Sequence, residues 1–146
     1  MFKITPISLL CNTNYTQKDV LFVLSTLTDC SPIEAKKWGE IINNLPNNHH
    51  IFTYTLDNKL IGMITVIIEQ KLIHSALSVA HIEDLVILPD YRRHGIGKQL
   101  LDFAKTFAKN NNCYKIILNC DKKLIPFYEK NDFVEKAVQM RFNLTD

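Results

Sequence analysis

A chain of 146 residues with 47% apolar and 22% charged positions can bury a core without staples and is too apolar to stay disordered. A formal net charge of +2 gives no footprint for nucleic acid, and no apolar run reaches the length of a membrane span. Four scattered cysteines, at 11, 30, 113 and 120, show neither CxxC pairing nor metal-ligand spacing.

Free, mostly buried thiols in a reducing, cytoplasmic setting are therefore expected, with no metal. The opening MFKITPISLL lacks the apolar centre of a signal peptide. Length and the absence of any linker predict one domain over residues 1–146.

In chain order, residues 2–8 alternate as a short strand. Thr16 and Asp19 mark a helix start, followed by Val20, Leu21, Leu24 and Leu27 at helical spacing. Ser31-Pro32-Ile33-Glu34 predicts a second start, with a helix running through Trp38 and Ile42 to Asn43-Asn44. Residues 51–56 and 60–69, around Asp57-Asn58, form a hairpin; residues 71–80 read as a loop or irregular edge. A strand over 82–88 carries Glu83 and Asp84. A helix follows from Ile96 or Gly97 to about Lys109, stopped by Asn110-Asn111-Asn112. A strand over 114–119, a short helix over 122–131 and a closing strand over 133–144 complete an α/β (α+β) chain with a mixed sheet.

Residues 91–101, YRRHGIGKQLL, hold two of the three arginines and two of the four glycines. Glycines between a strand and a helix let backbone approach a ligand, and the free amides of a helix start favour an anion. Arg92 and Arg93 add planar donors suited to phosphate. The spacing excludes two nucleotide motifs: Gln99 follows Lys98 where a Walker loop needs Ser or Thr, and no third glycine completes GxGxxG. A glycine-rich turn with surface arginines is the plain alternative.

Arg92-x-x-Gly95-x-Gly97 in this setting resembles the pyrophosphate loop of the Gcn5-related N-acetyltransferases (GNAT), and the element order agrees along nearly the whole chain. Ile68-Glu69-Gln70-Lys71-Leu72-Ile73-His74, His81-Ile82-Glu83-Asp84, the run 113–120 and Phe127-Tyr128-Glu129-Lys130 further resemble eukaryotic-type glucosamine 6-phosphate N-acetyltransferase. The resemblance implies a mostly antiparallel GNAT sheet flanked by about four helices. It also implies acetyl-CoA as cosubstrate, a homodimer, and acetylation of glucosamine 6-phosphate on the route to UDP-N-acetylglucosamine.

By the same resemblance, acetyl-CoA would be held by Leu85, Val86, Ile87, Arg92, Arg93, His94, Gly95, Ile96, Gly97, Lys98 and Tyr128. The sugar phosphate would meet Thr28, Lys71, His74, Glu83, Asp84, Asn119 and Arg141. A phenol with pKa about 10 is protonated at neutral pH, so Tyr128 can donate to the departing thiolate. A half-buried Glu83 could accept the ammonium proton, while Asp84, adjacent on a strand, would face away from it. Either acid could instead make only local hydrogen bonds.

Asn119 stands where relatives carry an acid, so it can orient an amine without charging the site. Arg141 lies two residues before Asn143, near the place of a phosphate-binding arginine in relatives. Leu124 replaces an asparagine, and Asn131-Asp132-Phe133 replaces a Cys-Gly-Phe type turn. Two alternatives stay open: an acetyltransferase for another small amine, and an acyl-CoA-binding module without chemistry.

Overall fold

The computed structural model describes residues 1–12 and 16–145. Among them five strands, β1 (Phe2–Pro6), β2 (His49–Leu56), β3 (Lys59–Gln70), β4 (Ser78–Ile87) and β5 (Cys113–Leu118), form one sheet in the order β1-β2-β3-β4-β5. Three junctions are antiparallel, and β4–β5 is parallel. Helices α1 (Gln17–Leu24), α2 (Ala35–Asn43), α3 (Ile96–Asn110) and α4 (Ile125–Glu129) accompany them. The parallel step requires a crossover, and α3 supplies it. This is the expected α/β class with a mixed, mostly antiparallel sheet. No helix among the described residues is long and apolar enough to cross a membrane.

The core follows from two periodicities. Along β3, residues 60–66 are buried without a break, as a strand covered on both faces must be. On α3, Ile96, Leu100, Leu101, Ala104 and Ala108 recur at helical spacing and pack with Val20 and Val23 of α1 into one cluster around β3 and β4. The Asp19 carboxylate accepts from both the amide (2.6 Å) and the hydroxyl (2.9 Å) of Thr16, which fixes the start of α1. Asn112 takes a left-handed φ of 55° after α3, as the asparagine run predicts.

Four expectations change. The second helix starts at Ala35, not at Pro32. Glu34 is extended (φ −57°, ψ 138°), and Gln17 Nε2, donating to Ile33 O at 2.7 Å, ties the segment before the helix to α1. Residues 71–80 resolve into a 3-10 turn, His74–Ala76, and the first residues of β4. Residues 133–144 form no strand: they lie along no sheet edge, and residues 134–144 are exposed. Cys30, Cys113 and Cys120 are free, but none is fully buried and Cys120 is exposed; the side chain of Cys11 lies outside the described residues.

Candidate active site

Strands β4 and β5 pair from Ser78↔Cys113 only as far as Ile82↔Leu118. β5 stops there, while β4 continues to Ile87 and, among the described residues, bonds only to β3. Residues 83–87 therefore present one unpaired strand edge, a row of backbone groups ready for an extended ligand. At the point of divergence His81, Glu83, Ile117, Leu118 and Asn119 line a small, partly open cleft of about 50 Å³. The resemblance-based readings of Glu83 and Asn119 thus meet in one place.

His81 and the two β5 wall residues were not singled out from sequence. The signal for His81 is its spacing: it lies two residues before Glu83 on a strand and so shares its face.

The two neighbouring acids depart from the expected pattern. Glu83 is exposed rather than half-buried, because β5 has already ended. Asp84 has φ 47°, and the β3–β4 register shifts between Met63 and Thr65. A β-bulge therefore sits at Asp84, and the simple alternation that would send the two carboxylates to opposite faces does not apply.

The free edge leads into Pro89–Tyr91, a 3-10 turn, and then the glycine loop. Arg93 (φ 66°) and Gly95 (φ 78°) are both left-handed, which turns the chain sharply into the first turn of α3. Gly95 has open space where a Cβ would sit, so its backbone conformation explains the glycine. Gly97 is different: a Cβ there would lie 2.9 Å from Phe127 Cζ, so it permits close packing of α4.

Ile96 and Gly97 are buried and can offer a ligand only their amides. Arg92 Nε donates to Ile87 O at 2.9 Å, bracing the loop on the strand end with one of the guanidinium's five N–H groups. Arg93 and His94 are exposed. Lys98 is drawn along α3 to Asp102 at 2.5 Å.

Tyr128 lies on α4, whose end is fastened to α3. Lys105 of α3 donates to Asn131 O (2.7 Å) and pairs with Asp132 (3.2 Å), while Asn131 Nδ2 donates to Phe127 O (2.8 Å). These bonds fasten the end of α4 to α3. Asp132 has φ 67°, the left-handed turn that Asn-Asp was expected to tolerate. Tyr128 packs edge-on against Phe127 and Phe133. Burial, with a smaller contribution from the charge of nearby Cys120, pushes the Tyr128 phenol up to about 12. Cys120 directly follows Asn119, so the phenol stands by the end of β5.

The remaining expected sugar-phosphate residues do not line the cleft. Lys71 and His74 lie in the β3–β4 connection. There His74, Ser75 and Ala76 take φ of 51°, 57° and 60°, three successive non-glycine residues in the left-handed region, each costing about 1–2 kcal/mol. Gln70 holds this turn: its Nε2 donates to Lys71 O (2.9 Å) and Ala76 O (2.6 Å). The His74 ring rests on Tyr114 with centroids 4.4 Å apart. Thr28 is exposed just after α1. Arg141 is exposed in the unpaired tail, with Nε donating to Asn143 Oδ1 at 2.7 Å, and so belongs to no strand. Leu124 closes the turn before α4 and is also exposed.

Over most of its length the chain is similar to known proteins. The model described as "Acetyltransferase (GNAT) family" matches residues 20–133. The chain belongs to the GNAT acetyltransferase family. It is thus an acyltransferase, and the family uses acetyl-CoA as cosubstrate.

A glucosamine 6-phosphate N-acetyltransferase from Trypanosoma brucei brucei is 35% identical over 127 residues, covering 85% of this chain and 86% of the relative. Among solved structures, an acetyltransferase of Trypanosoma brucei superposes with a TM-score of 0.88 at 26% identity, over 99% of this chain and 100% of that one. The glucosamine-6-phosphate N-acetyltransferase of Arabidopsis thaliana gives 0.84 at 26% identity, over 99% of each chain.

Proposed function

We propose that residues 1–146 act as one domain that transfers the acetyl group of acetyl-CoA to the amine of D-glucosamine 6-phosphate. The products are N-acetyl-D-glucosamine 6-phosphate and CoA, formed by direct attack in a ternary complex, in the supply of UDP-N-acetylglucosamine. The observation that carries the reading is the unpaired β4 edge over residues 83–87, running from the Glu83–Asn119 cleft into the left-handed loop before α3. The names of the relatives supply the acceptor.

Acetyl-CoA brings an activated acyl carbon and a thiol leaving group. Leu85, Val86 and Ile87 offer strand-edge amides and carbonyls to its amide-bearing arm. The amides from His94 to Lys98, with Arg92 and Arg93, face its pyrophosphate at the positive end of α3. As the amine nitrogen bonds to the acyl carbon and the C–S bond breaks, one proton leaves nitrogen and one joins sulfur. Tyr128, kept protonated by burial, donates to sulfur. Glu83 accepts from nitrogen, directly or through water, and Asn119 turns a neutral carbonyl oxygen toward the amine. Asp84 and Thr28 bond the sugar, and Lys71, His74 and Arg141 meet its phosphate.

The reading includes a homodimer and a cytoplasmic setting. Val138, Met140, Phe142 and Leu144 alternate along the tail with exposures of 85%, 89%, 87% and 91%. Alternating apolar residues suit a half-buried strand, and a second copy can supply the missing sheet edge and bring Arg141 to its site. The three free thiols are compatible with a reducing compartment.

The test is CoA thiol release from acetyl-CoA with glucosamine 6-phosphate, glucosamine and a polyamine side by side. Fast release with the phosphorylated sugar alone supports the acceptor. Equal release with all three, or with none, refutes it.

A further inference from the structure

One face of the sheet carries a row of polar residues whose two middle members, Glu69 and His81, the reaction does not use. Lys71 and Glu69 are two residues apart at the end of β3, and His81 and Glu83 are two apart on β4. The register pairs Glu69 with Val79 and Ile67 with His81, so Glu69, His81 and Glu83 project from the same face, and the Lys71 ammonium reaches Glu69 from just past the strand. The row runs diagonally from the strained β3–β4 turn to the cleft.

Its connections pass through Glu69. One carboxylate oxygen, Oε1, accepts from the Lys71 ammonium; the other, Oε2, accepts from His81 Nε2 at 2.7 Å. A carboxylate only accepts, so the His81 proton on this side resides on Nε2, which settles the ring's orientation against the cleft wall. The two hydrogen bonds, Lys71 first, hold the Glu69 carboxyl below its ordinary range, so it is charged at neutral pH.

We propose that Glu69 is a positioning residue for the acceptor side of the site, fixing with one carboxylate both the Lys71 ammonium and the His81 ring. Lys71 has a long, flexible stem that loses much rotamer freedom when it binds a ligand. Glu69 removes part of that cost before the acceptor arrives and sets the ammonium at a fixed distance from the wall where the amine sits. The same carboxylate joins the β3–β4 turn to the strand bearing Glu83, while the next residue, Gln70, holds the backbone of that turn. Glu69 thus lets the site sense both ends of one acceptor, the anionic end through Lys71 and the amine end through the His81 wall. This inference rests on the acceptor proposed above.

Steady-state kinetics with glucosamine 6-phosphate and with glucosamine, in wild type, Glu69→Ala and Glu69→Gln, test it. Glu69→Ala is expected to raise KM for the phosphorylated sugar about tenfold, the scale of one charge-assisted hydrogen bond. The KM for acetyl-CoA and kcat should each change less than twofold, and the preference for the phosphorylated over the plain sugar should narrow. Glu69→Gln, which keeps length and one acceptor oxygen, should fall between and remains informative if the alanine variant folds poorly. An unchanged sugar KM in both variants, or equal rises in KM for sugar and acetyl-CoA, would overturn the role of Glu69 alone. A wild type indifferent to the phosphate would overturn the acceptor reading, and this proposal with it.

Discussion

A methyl group on Gly97 would lie 2.9 Å from Cζ of Phe127, the residue before Tyr128. The start of α3 and the short helix α4 therefore meet with no spare volume, and the residue that opens the helix also seats the proposed acid. Gly97→Ala is expected to force the Phe127 ring aside and shift Tyr128. Overpacking of this kind costs about 1–3 kcal/mol, readable by urea denaturation. Turnover should fall further than the stability loss accounts for, since a small displacement of a catalytic group is expensive. Unaltered kcat in a folded Gly97→Ala protein would separate this packing from the chemistry.

Gly95→Ala probes the other glycine by a different mechanism. Its Cβ would meet nothing, but φ 78° strains any L-residue by about 1–2 kcal/mol. Relief of that strain would reorient the loop amides, so the expected loss is in acetyl-CoA affinity, with kcat at saturation preserved. Calorimetric titration with CoA reads it directly.

Tyr128→Phe removes one hydroxyl from a packed ring and should lower kcat by about 10²-fold or more while CoA binding persists. The pH dependence has a definite sign. The phenol, ordinarily near 10, is raised to about 12 in the fold, so the folded protein binds its proton more tightly. Its stabilising contribution is full below pH 10 and is lost as pH rises from there through about 12. Ultraviolet titration should show a phenol ionising at about 12 that is absent in Tyr128→Phe. A decline of activity below pH 10 must then come from another group.

How much of this lay open in the sequence depends on range. The Thr16–Asp19 cap, the Asp57-Asn58 hairpin and the asparagine stop after α3 are local, and each emerges where residue chemistry places it. The start of α2 moves to Ala35 because Glu34 stays extended, in a segment tied to α1 by the bond from Gln17 to Ile33, sixteen residues apart. The opposite-face reading of Glu83 and Asp84 fails because a bulge is set by pairing with β3, which alternation along β4 cannot reveal. Within the candidate site, the glycine loop announced itself by composition. The Glu69 to His81 bond spans twelve residues and two strands, so only the register exposes it.

Asn119→Asp restores a charge across the cleft from Glu83. A charged acceptor holds an ammonium more strongly than an amide oxygen does, by about 1 kcal/mol or roughly fivefold. The expected result is a lower KM for the amino sugar at neutral pH, with kcat held or raised. Identical KM and kcat would mean that the backbone at the end of β5 carries the amine alone.

The apolar tail offers a direct test of the proposed homodimer. Residues 134–144 are exposed and lie along no strand, yet Val138, Met140, Phe142 and Leu144 keep a two-residue apolar period that has no use in solvent. Phe133, against Tyr128, and Asp132, paired with Lys105, anchor the chain just before the tail. Truncation after Phe133 should therefore leave the sheet and α4 intact while removing the segment that a second copy would cover. Sedimentation should read a dimer for the full chain and a monomer for the truncated one. The unfolding temperature should rise with protein concentration only for the full chain, because association stabilises by mass action. Loss of Arg141 with the tail should also raise the KM for glucosamine 6-phosphate.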